Sequence, residues 1–470
     1  MVFQNNVLLG ASGSGTTAYE IDQSIRFNSA DSAYLKKTFG SSASNRRTHT
    51  YSFWVKLGAN AAGVNANGGC FFLSTNDTGA NAGDYLHLNG SLELRYWSNN
   101  SSAETFKTNQ VLRDYSSWYH ILLVNDRDNS TGSEAVRLYI NGQRVTSFAV
   151  DNISGRKGQD TMVNGSSYFW QIQRFTSGDV NGDCYMADIV FIDGQALGPS
   201  SFGEYSDDGI WIPKDVSGLT FGTNGFYIDG RDSSDLGDDE SGQGNDFTAS
   251  GLAAHDQVLD TPTNNFAVYN ILYNVGDVDF PTYSEGNLSV DFNYFGKRSP
   301  VSTFALPTDS DAYCEFYIKT SASSVHNSGV GIGQGDANNA GNVLLTNGVS
   351  YNFNGYKTVG GSASTFGNSY TAGDIIGVYF DLSDNEVDFY KNNTLEGSVS
   401  LSTLSGDLFF LVANNTTNQQ VIIANFGQDD TFAGNKTSGS AGASDSSGNG
   451  KFYYTRISGA KALCSKSLGS

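Results

Sequence analysis

The stretch 137-RLYINGQRV-145 places Asn141-Gly142 between two runs that alternate apolar and polar residues. Asn-Gly supplies the positive φ angles that a two-residue hairpin turn requires, so this stretch predicts a β-hairpin. A second stretch, 387-VDFYKNNTLEGSV-399, has the same form around Asn392-Asn393. The two hairpins lie in different halves of the chain, and they predict two β-sandwiches in succession.

The composition around these hairpins favours an all-β fold. Charged residues make up 16% of the 470 residues and aromatic residues 13%, and the chain has 55 Gly against 6 Pro. Aromatic side chains pack well on pleated surfaces, and glycines supply tight corners between strands. No long stretch shows apolar residues at helical spacing. None approaches the ~20 apolar residues of a membrane-spanning helix, so no membrane insertion is expected.

Alternating runs of apolar and polar residues predict the strands of the first sandwich. In 50-TYSFWVK-56, for example, Tyr51, Phe53 and Val55 share one face, as expected for a half-buried strand. Runs of this kind continue from about Ser24 to Pro199, which is enough for a two-sheet sandwich. The preceding residues 1–23 form a lead that has no core of its own and is suited to docking on a partner.

The charge of the chain is strongly negative and unevenly distributed. A net charge of -21 repels phosphate backbones, so nucleic acid is not an expected partner. Between Glu204 and Asp246 eleven acidic residues face only Lys214 and Arg231. This run predicts a solvated acidic connector over 200–286, with a divalent cation site as the alternative.

The four cysteines are widely spaced and form no C-x-x-C pair, so free thiols are expected rather than a zinc site or a disulfide framework. They are Cys70, Cys184, Cys314 and Cys464. The N-terminal stretch has no basic residue ahead of its short apolar run, which makes it a poor secretory signal.

The first half resembles a laminin-G or concanavalin A-like jelly roll. The resemblance covers residues 24–199 and is carried by 25-IRFNSADSAYL-35, 50-TYSFWVK-56, 118-WYHILLV-124, 137-RLYINGQ-143 and 187-ADIVFIDGQAL-197. The next motifs, 202-FGEYSDDGIWIPK-214, 225-GFYIDGRDSSDLGDDESGQGNDF-247 and 258-VLDTPTNNFAVYN-270, resemble a connector in virion proteins of marine tailed bacteriophages. This second resemblance implies a virion protein.

The second half resembles a SPRY domain. In 373-GDIIGVYFDLSDNEVDFYKNN-393 a G-D-x-I-G strand runs through a D-L turn into an F-Y-K-N hairpin, and the domain is expected over 287–427. Residues 428–470 then read as a Gly/Ser-rich linker followed by a C-terminal docking segment, because aromatic and apolar residues return at 452-FYYTRISGAKALC-464.

The sequence shows no constellation of catalytic residues, so the protein is not expected to be an enzyme. Jelly-roll glucanases carry their carboxylates on one strand as E-x-D-x-x-E, and no such run occurs. There is no G-x-S-x-G elbow, and the five histidines show no metal-ligand spacing. His87 and His120 are expected to be hydrogen-bonded structural residues.

Candidate ligand-binding residues are aromatic side chains near predicted strand ends, which can stack on sugar rings but serve equally well in a core. In the first half these are Tyr96, Trp97, Tyr115 and Trp118. In the second half the resemblance to SPRY domains points to loops at one end of the sandwich, namely His326, Tyr351, Phe353 and Tyr356.

One loop has the start of a calcium-binding pattern. In 179-DVNGD-183, the side chains of Asp179, Asn181 and Asp183 offer alternating oxygen ligands, but the bidentate Glu of an EF-hand loop is missing. A turn between strands needs no ion, so no cofactor is expected beyond weakly held calcium.

These observations together predict a non-enzymatic phage virion protein, a fibre, spike or capsid-surface appendage that attaches to host surface glycans or proteins. Its partners would be other virion proteins and the host ligand, and it would be a homo-oligomer, with a trimer the usual form of a fibre. The virion would be assembled in the host cytoplasm. The alternatives are a decoration protein that binds only virion subunits, a carbohydrate-active enzyme and a secreted bacterial lectin.

Overall fold

Two units make up the chain, Gly13–Thr263 and Asn264–Ser470, here called the N-terminal and C-terminal units. The computed structural model describes residues 19–40, 45–62, 69–75, 83–98, 104–165, 168–175, 182–272, 281–292, 299–321, 328–335, 346–414, 419–439, 443–454 and 459–468. The fold class is all-β, as the composition predicts, and the described part of each unit contains two large antiparallel sheets.

The N-terminal unit has two large sheets and a small hairpin. Its strands are β1 (Ser24–Phe27), β2 (Tyr34–Thr38), β3 (Thr48–Leu57), β4 (Phe71–Thr75), β5 (Tyr85–Leu88), β6 (Glu93–Trp97), β7 (Phe106–Val111), β8 (Trp118–Asp126), β9 (Val136–Ile140), β10 (Gln143–Arg144), β11 (Phe148–Asp151), β12 (Phe169–Ile172), β13 (Cys184–Asp193), β14 (Gly203–Tyr205), β15 (Trp211–Pro213), β16 (Phe226–Ile228), β17 (Thr248–Ser250) and β18 (Gln257–Val258). The first sheet has the order β10-β9-β8-β3-β13-β1-β18, with β16 also paired to β13. The second sheet has the order β11-β7-β6-β5-β4-β12-β2-β17, and β14 pairs with β15.

The C-terminal unit is a second sandwich. Its elements are β19 (Thr282–Ser284), β20 (Ser289–Phe292), β21 (Ala312–Thr320), β22 (Gly329–Gln334), β23 (Gly348–Asn352), β24 (Tyr356–Val359), β25 (Ser362–Thr365), β26 (Ile375–Asp381), β27 (Glu386–Lys391), β28 (Thr394–Ser400), β29 (Leu408–Ala413), β30 (Gln420–Asn425) and α1 (Ser465–Leu468). One sheet has the order β19-β20-β30-β21-β26-β27-β28 and the other β25-β24-β23-β22-β29.

Both predicted hairpins are confirmed. Asn141 and Gly142 connect β9 to β10 with φ angles of 48° and 73°. Asn392 and Asn393 connect β27 to β28 with φ angles of 48° and 68°. Two successive positive φ angles are the requirement of a type I′ turn, which matches the twist of the flanking strands. Asn-Asn therefore adopts the same pair of positive φ angles in the second hairpin as Asn-Gly adopts in the first.

The core of the N-terminal unit is centred on Trp170 of the second sheet. Its ring lies 5.3 Å from that of Tyr51 and 4.7 Å from that of Phe191, both in the first sheet. Phe226 packs edge-on against the same indole at 5.0 Å, and Phe247 packs on Phe226 at 4.8 Å. Burial of each such ring stabilises the unit by about 1.5–3 kcal/mol.

Phe226 and Phe247 belong to the segment 200–286 that was expected to be a solvated connector. Instead, β16 pairs with β13, β17 with β2, and β18 with β1, so the segment adds strands to both sheets of the N-terminal unit. The boundary between the units follows Thr263. These strands have only two or three residues each, and many acidic residues lie in the turns between them. The sequence of the segment therefore does not show an alternating strand pattern.

Some of the acidic side chains in this segment are structural. Asp239 is 9% exposed. Its Oδ1 accepts a hydrogen bond from the backbone N–H of Tyr227, and its Oδ2 accepts from the N–H of Asn245, both at 2.8 Å. Asp235, by contrast, is exposed. The expectation of a wholly solvated acidic face is therefore wrong at Asp239, whose carboxylate closes the turns between β16 and β17.

This difference leads to a mutational prediction. Asp239→Asn replaces one acceptor oxygen by an NH₂ group, so the variant should lose about 1.5–3 kcal/mol of unfolding free energy, the usual value for hydrogen bonds to a charged group. Glu240→Gln is the matched control, because Glu240 is exposed and repulsion from Asp229 raises its pKa. Urea unfolding followed by tryptophan fluorescence measures both, and equal stability of the two variants would contradict this role of Asp239.

The first and last described segments pack on the units to which they belong. Residues 1–18 of the predicted lead lie outside the described residues, whereas Ile21 is buried and its N–H bonds to Thr263 Oγ1 at 3.1 Å. In the C-terminal unit, the backbone of Cys464 forms an isolated antiparallel β-bridge with that of Phe266. Phe452 is buried in the same unit. Ala443, in the predicted linker, is also buried, so the described part of that stretch is folded structure.

The four cysteines are free and buried, as expected. The glycines of β22 also have a structural role. A Cβ at Gly331 would collide with the carbonyl oxygen of Val349 in β23, so glycine allows the two strands to approach.

Candidate functional site

The outward face of the second sheet in the N-terminal unit carries many aromatic and basic side chains, and several of them are buried. Leu35, Trp170 and Leu86 point into the core, so their strand neighbours point outward. The outward positions hold aromatic, basic and hydroxyl side chains from β17 to β7. They are Tyr34, Lys36, Phe71, Tyr85, His87, Arg95, Trp97, Lys107, Phe169, Gln171, Thr248 and Ser250. We call this surface the outer face.

Aromatic side chains form a cluster at the middle of the outer face. Phe71 stacks on His87 with 4.6 Å between ring centroids and an interplanar angle of 3°. Phe175 lies 4.9 Å from Phe71 and 5.1 Å from Tyr85, and Trp97 packs against the same cluster. Trp97 and Phe175 are half-buried, whereas the other three are buried, so these two rings present the accessible aromatic surface.

The imidazole in this cluster is neutral. Burial, and secondly the positive charge of Arg95, lowers the pKa of His87 to about 4. His120, on the first sheet, is also held neutral, since burial lowers its pKa to about 3. Its Nε2 lies 2.8 Å from Ser52 Oγ, and its Nδ1 accepts from Trp211 Nε1 at 3.1 Å. Both histidines are hydrogen-bonded structural residues, as expected.

A groove with a volume of about 460 Å³ lies at the β2–β17 edge of the outer face. The lining residues are Tyr34, Lys36, Lys37, Thr38, Asp246, Thr248 and Ser250. Two cation–π contacts organise its basic side chains: Lys36 Nζ lies 4.5 Å from the ring centroid of Phe169, and Arg174 Cζ lies 4.5 Å from that of Tyr34. A hydrogen bond from Ser250, and then the Arg174 charge, lowers the pKa of Tyr34.

Carboxylates at the other end of the outer face are paired. Arg95 contacts Glu104, and the Arg95 guanidinium lies 5.7 Å from the Trp97 ring. Lys107 Nζ lies 3.8 Å from Glu93 Oε2. Glu104 and Glu93 therefore each have a basic neighbour. Neither of these two carboxylates stands alone as a candidate general acid or base.

The predicted ligand-binding residues of the first half divide between core and surface. Tyr96 is buried in the core, and its ring lies 5.5 Å from that of Phe106. Trp118 is buried, with its Nε1 donating to Asp260 at 3.0 Å. Tyr115 packs against the core and is half-buried. Only Trp97 lies on the outer face, which shows that proximity to a strand end does not distinguish surface rings from core rings.

The predicted residues of the second half divide in a similar way. Tyr351 and Phe353 are buried, and each packs on Tyr370 at 4.8 Å. His326 lies outside the described residues, and Tyr356 is half-buried at the start of β24. The accessible apolar side chain nearby is Leu395, which is 52% exposed on the β27–β28 hairpin.

One of the three predicted calcium ligands lies among the described residues. Asp179 and Asn181 lie outside the described residues. Asp183 is buried, and its Oδ1 accepts from the N–H of Ser29 at 2.6 Å, while burial raises its pKa. Among the residues that the structure describes, no group of three or more His, Cys, Asp or Glu side chains is placed to hold a metal ion.

Sequence reasoning missed several residues of the outer face, namely Tyr34, Lys36, Phe169, Arg174 and Phe175. The runs 34-YLKKT-38 and 168-YFWQIQRF-175 contained the signal, because their alternation separates Leu35 and Trp170 from their neighbours. Each run separates its side chains into two alternating sets, but the sequence of the run does not show which set faces the core until the partner sheet is known.

Buried carboxylates with raised pKa values can identify catalytic sites, and Asp188 in β13 is a buried carboxylate of this kind. Burial raises its pKa from 3.8 to about 7, and Asp229 acts in the same direction. The Tyr227 hydroxyl donates to its Oδ1 at 2.9 Å and also bonds to the Tyr19 hydroxyl, while Arg231 opposes the shift. This chain of hydrogen bonds links the N-terminal end of the described residues to β13 and β16, which is a structural role.

The raised pKa of Asp188 predicts a pH dependence of stability. A buried acid of this kind binds a proton on folding, so its contribution is present below about pH 3.8 and is lost as pH rises through about 7. The N-terminal unit should therefore gain on the order of 2–4 kcal/mol between pH 8 and pH 4 from this group. Urea unfolding at several pH values tests this, and an Asp188→Asn variant with an undiminished gain would contradict it.

Comparison with known proteins agrees with the two sandwiches. Residues 28–182 match the concanavalin A-like lectin/glucanases superfamily, and residues 314–429 match the SPRY domain. The chain thus contains a concanavalin A-like domain and a SPRY domain, which fit a binding role. No curated protein matches the chain. Among the described residues, no helix is long and apolar enough to cross a membrane.

Three solved structures illustrate the similarity. The SPRY domain of human HERC1 is 16% identical, with a TM-score of 0.28, and the match covers 31% of this chain and 91% of that domain. Another human SPRY domain is 20% identical with a TM-score of 0.25, over 29% and 90% of the two chains. A heptameric SAP-like pentraxin from Limulus polyphemus is 14% identical with a TM-score of 0.25, over 38% and 80%.

Proposed function

We propose that the protein is a non-enzymatic glycan-binding attachment protein whose binding surface is the outer face of the N-terminal unit. The observation that supports this most directly is the partial exposure of the Trp97 and Phe175 rings on a sheet face that also carries basic and hydroxyl groups. Aromatic rings offer apolar contact to the C–H faces of sugars, while neighbouring polar groups bond to hydroxyls.

The paired carboxylates favour binding over hydrolysis. Glycoside cleavage uses two acids, one of which must donate a proton to the leaving group. Glu104 contacts Arg95, and Glu93 Oε2 lies 3.8 Å from Lys107 Nζ, so each acid is engaged in an ion pair. A carbohydrate-active enzyme is the competing function, and release of reducing ends from polysaccharides by the pure protein would support it instead.

A glycan array probed with the full chain tests the proposal. Trp97→Ala should weaken binding to any glycan that is retained, because the accessible ring is removed while the core is left intact. Tyr205→Ala is the control, since Tyr205 is an exposed aromatic residue on β14, away from the outer face. Absence of binding to every glycan, or equal binding by both variants, would contradict the outer face as the site.

The biological setting that we propose is the surface of a tailed-phage virion, as a fibre, spike or capsid appendage that attaches to host glycans or proteins. The support for this setting is the resemblance of the 202–270 motifs to phage virion proteins. Other virion proteins would be its partners, and a homo-oligomer, for a fibre a trimer, would be its assembled form. Immunogold labelling of purified particles tests the setting, and particles without label would contradict it.

The C-terminal unit would then contact a protein partner. Leu395 is exposed on β28, two residues from Gly397, on which Phe366 packs. Lys357 lies 5.2 Å from the Phe366 ring. Leu395 and the half-buried ring of Phe366 would offer accessible apolar surface for such a contact. This assignment would place docking in the C-terminal unit, whereas the sequence pointed to the 1–23 lead as a segment suited to docking on a partner.

A further inference from the structure

The groove at the β2–β17 edge differs in charge from the rest of the protein. The chain has a net charge of -21, yet Lys36 and Lys37 line the groove and Arg174 lies beside it. Asp246 is the acidic residue among the lining side chains. A small basic site on a strongly acidic protein produces a local attraction for anions that the surrounding surface lacks.

The basic groups of the groove are held by contacts that leave their charge uncompensated. Lys36 lies over Phe169 and Arg174 over Tyr34, while Lys37 Nζ donates to the carbonyl oxygen of Gly244 at 3.4 Å. Within the described ranges, none of the three forms an ion pair with a carboxylate. Contacts with ring faces orient a cation without neutralising it, so these groups remain available to an anionic ligand.

The remaining lining groups suit a sugar. Thr38, Thr248 and Ser250 bring hydroxyl groups to the groove. A hydroxyl group can both donate to and accept from the hydroxyl groups of a sugar.

We propose that the groove binds a polysaccharide bearing anionic groups, either uronate carboxylates or sulfate esters. This proposal rests on the proposed glycan-binding function and names its ligand class. Lys36 and Arg174 contact the anionic groups, and the hydroxyl-bearing residues contact the sugar. A nucleic acid is disfavoured because its tight binding requires many phosphate contacts, which the net negative charge opposes.

The test compares matched polymers on the full chain. Polygalacturonate is measured against its fully methyl-esterified form, and dextran sulfate against dextran, by isothermal titration calorimetry. Wild-type protein should bind at least one charged polymer about tenfold or more tighter than its neutral form, which corresponds to about 1.4 kcal/mol. The first pair identifies carboxylates and the second identifies sulfates. The affinity should fall as salt is raised, because exposed charges are screened.

Substitutions connect binding to the groove. The double variant Lys36→Gln with Arg174→Gln should lose the preference for the charged polymer. The control is Lys214→Gln, which changes a basic residue that directly follows β15 and pairs with Glu204, and this variant should keep the preference. Tryptophan fluorescence verifies that the double variant is folded. A preference retained in the folded double variant would overturn the proposal.

Two further outcomes separate this proposal from the function on which it rests. Binding to neutral glycans on the array, without a preference for charged polymers, would overturn the anionic ligand and leave the glycan-binding function standing. Absence of all glycan binding would overturn both. Binding of single-stranded DNA as tightly as the charged polysaccharide would also overturn the assignment, since the site would then recognise polyanions without recognising sugar.

Discussion

Asp260→Ala is expected to lower the free energy of unfolding of the N-terminal unit by about 3–5 kcal/mol, because it removes the carboxylate that is paired with a buried ammonium group. Lys56 Nζ lies 2.7 Å from Asp260 Oδ2, and both side chains are 0% exposed. Burial lowers the pKa of Lys56, and the Asp260 charge opposes this shift. Trp118 Nε1 donates to the other carboxylate oxygen. Asp260 therefore holds the last part of the unit against β3 and β8.

Tryptophan fluorescence is a selective probe for this experiment. The chain has five tryptophans, and all of them precede Thr263: they are Trp54, Trp97, Trp118, Trp170 and Trp211. Urea unfolding of the full chain followed by fluorescence thus reports the N-terminal unit alone.

An exposed ion pair supplies the control. Arg144 donates to both oxygens of Glu134 at 2.8 and 2.9 Å, but the two side chains are 38% and 32% exposed. Glu134→Ala should cost under about 1 kcal/mol. The double change Lys56→Met with Asp260→Leu should recover much of the loss, because an apolar pair needs no charge compensation. A cost for Asp260→Ala similar to that of the control would contradict the buried pair.

Glu315→Ala should release the C-terminal segment from its unit. Glu315 is buried in β21, and its two carboxylate oxygens accept from the backbone N–H groups of Tyr453 at 2.7 Å and Tyr454 at 2.9 Å. Burial raises its pKa to about 7. Removal of the carboxylate leaves two N–H donors unpaired, at about 1–3 kcal/mol each. The expected result is faster amide exchange across the described residues 443–454, with a loss of about 2–5 kcal/mol of unfolding free energy.

Hydrogen-exchange mass spectrometry measures this effect locally. Glu396→Ala is the control, because Glu396 Oε2 also accepts a backbone N–H, that of Asn368 at 2.7 Å, but at the surface. Water replaces the lost acceptor there, so exchange near residue 368 should change little. Unchanged exchange over 443–454 in Glu315→Ala would contradict the role of Glu315.

The sequence alone determined the fold class and both hairpins. Turn geometry and strand alternation are local properties: positive φ angles at Asn141-Gly142 and Asn392-Asn393 depend on those residues themselves. The alternation of Tyr51, Phe53 and Val55 likewise identifies one face of a strand without reference to its partner.

Only the tertiary structure decided which faces are buried and where the N-terminal unit ends. The three residues of β16 are too few to be identified from the sequence as a strand among the acidic turns. They form a strand because β13 offers hydrogen-bond partners and Trp170 offers a packing surface. For the same reason Tyr96 lies in the core and Trp97 on the outer face, although they are adjacent in sequence. Strand alternation defines two faces, but the partner sheet decides which of them meets water, and that pairing joins residues distant in the chain.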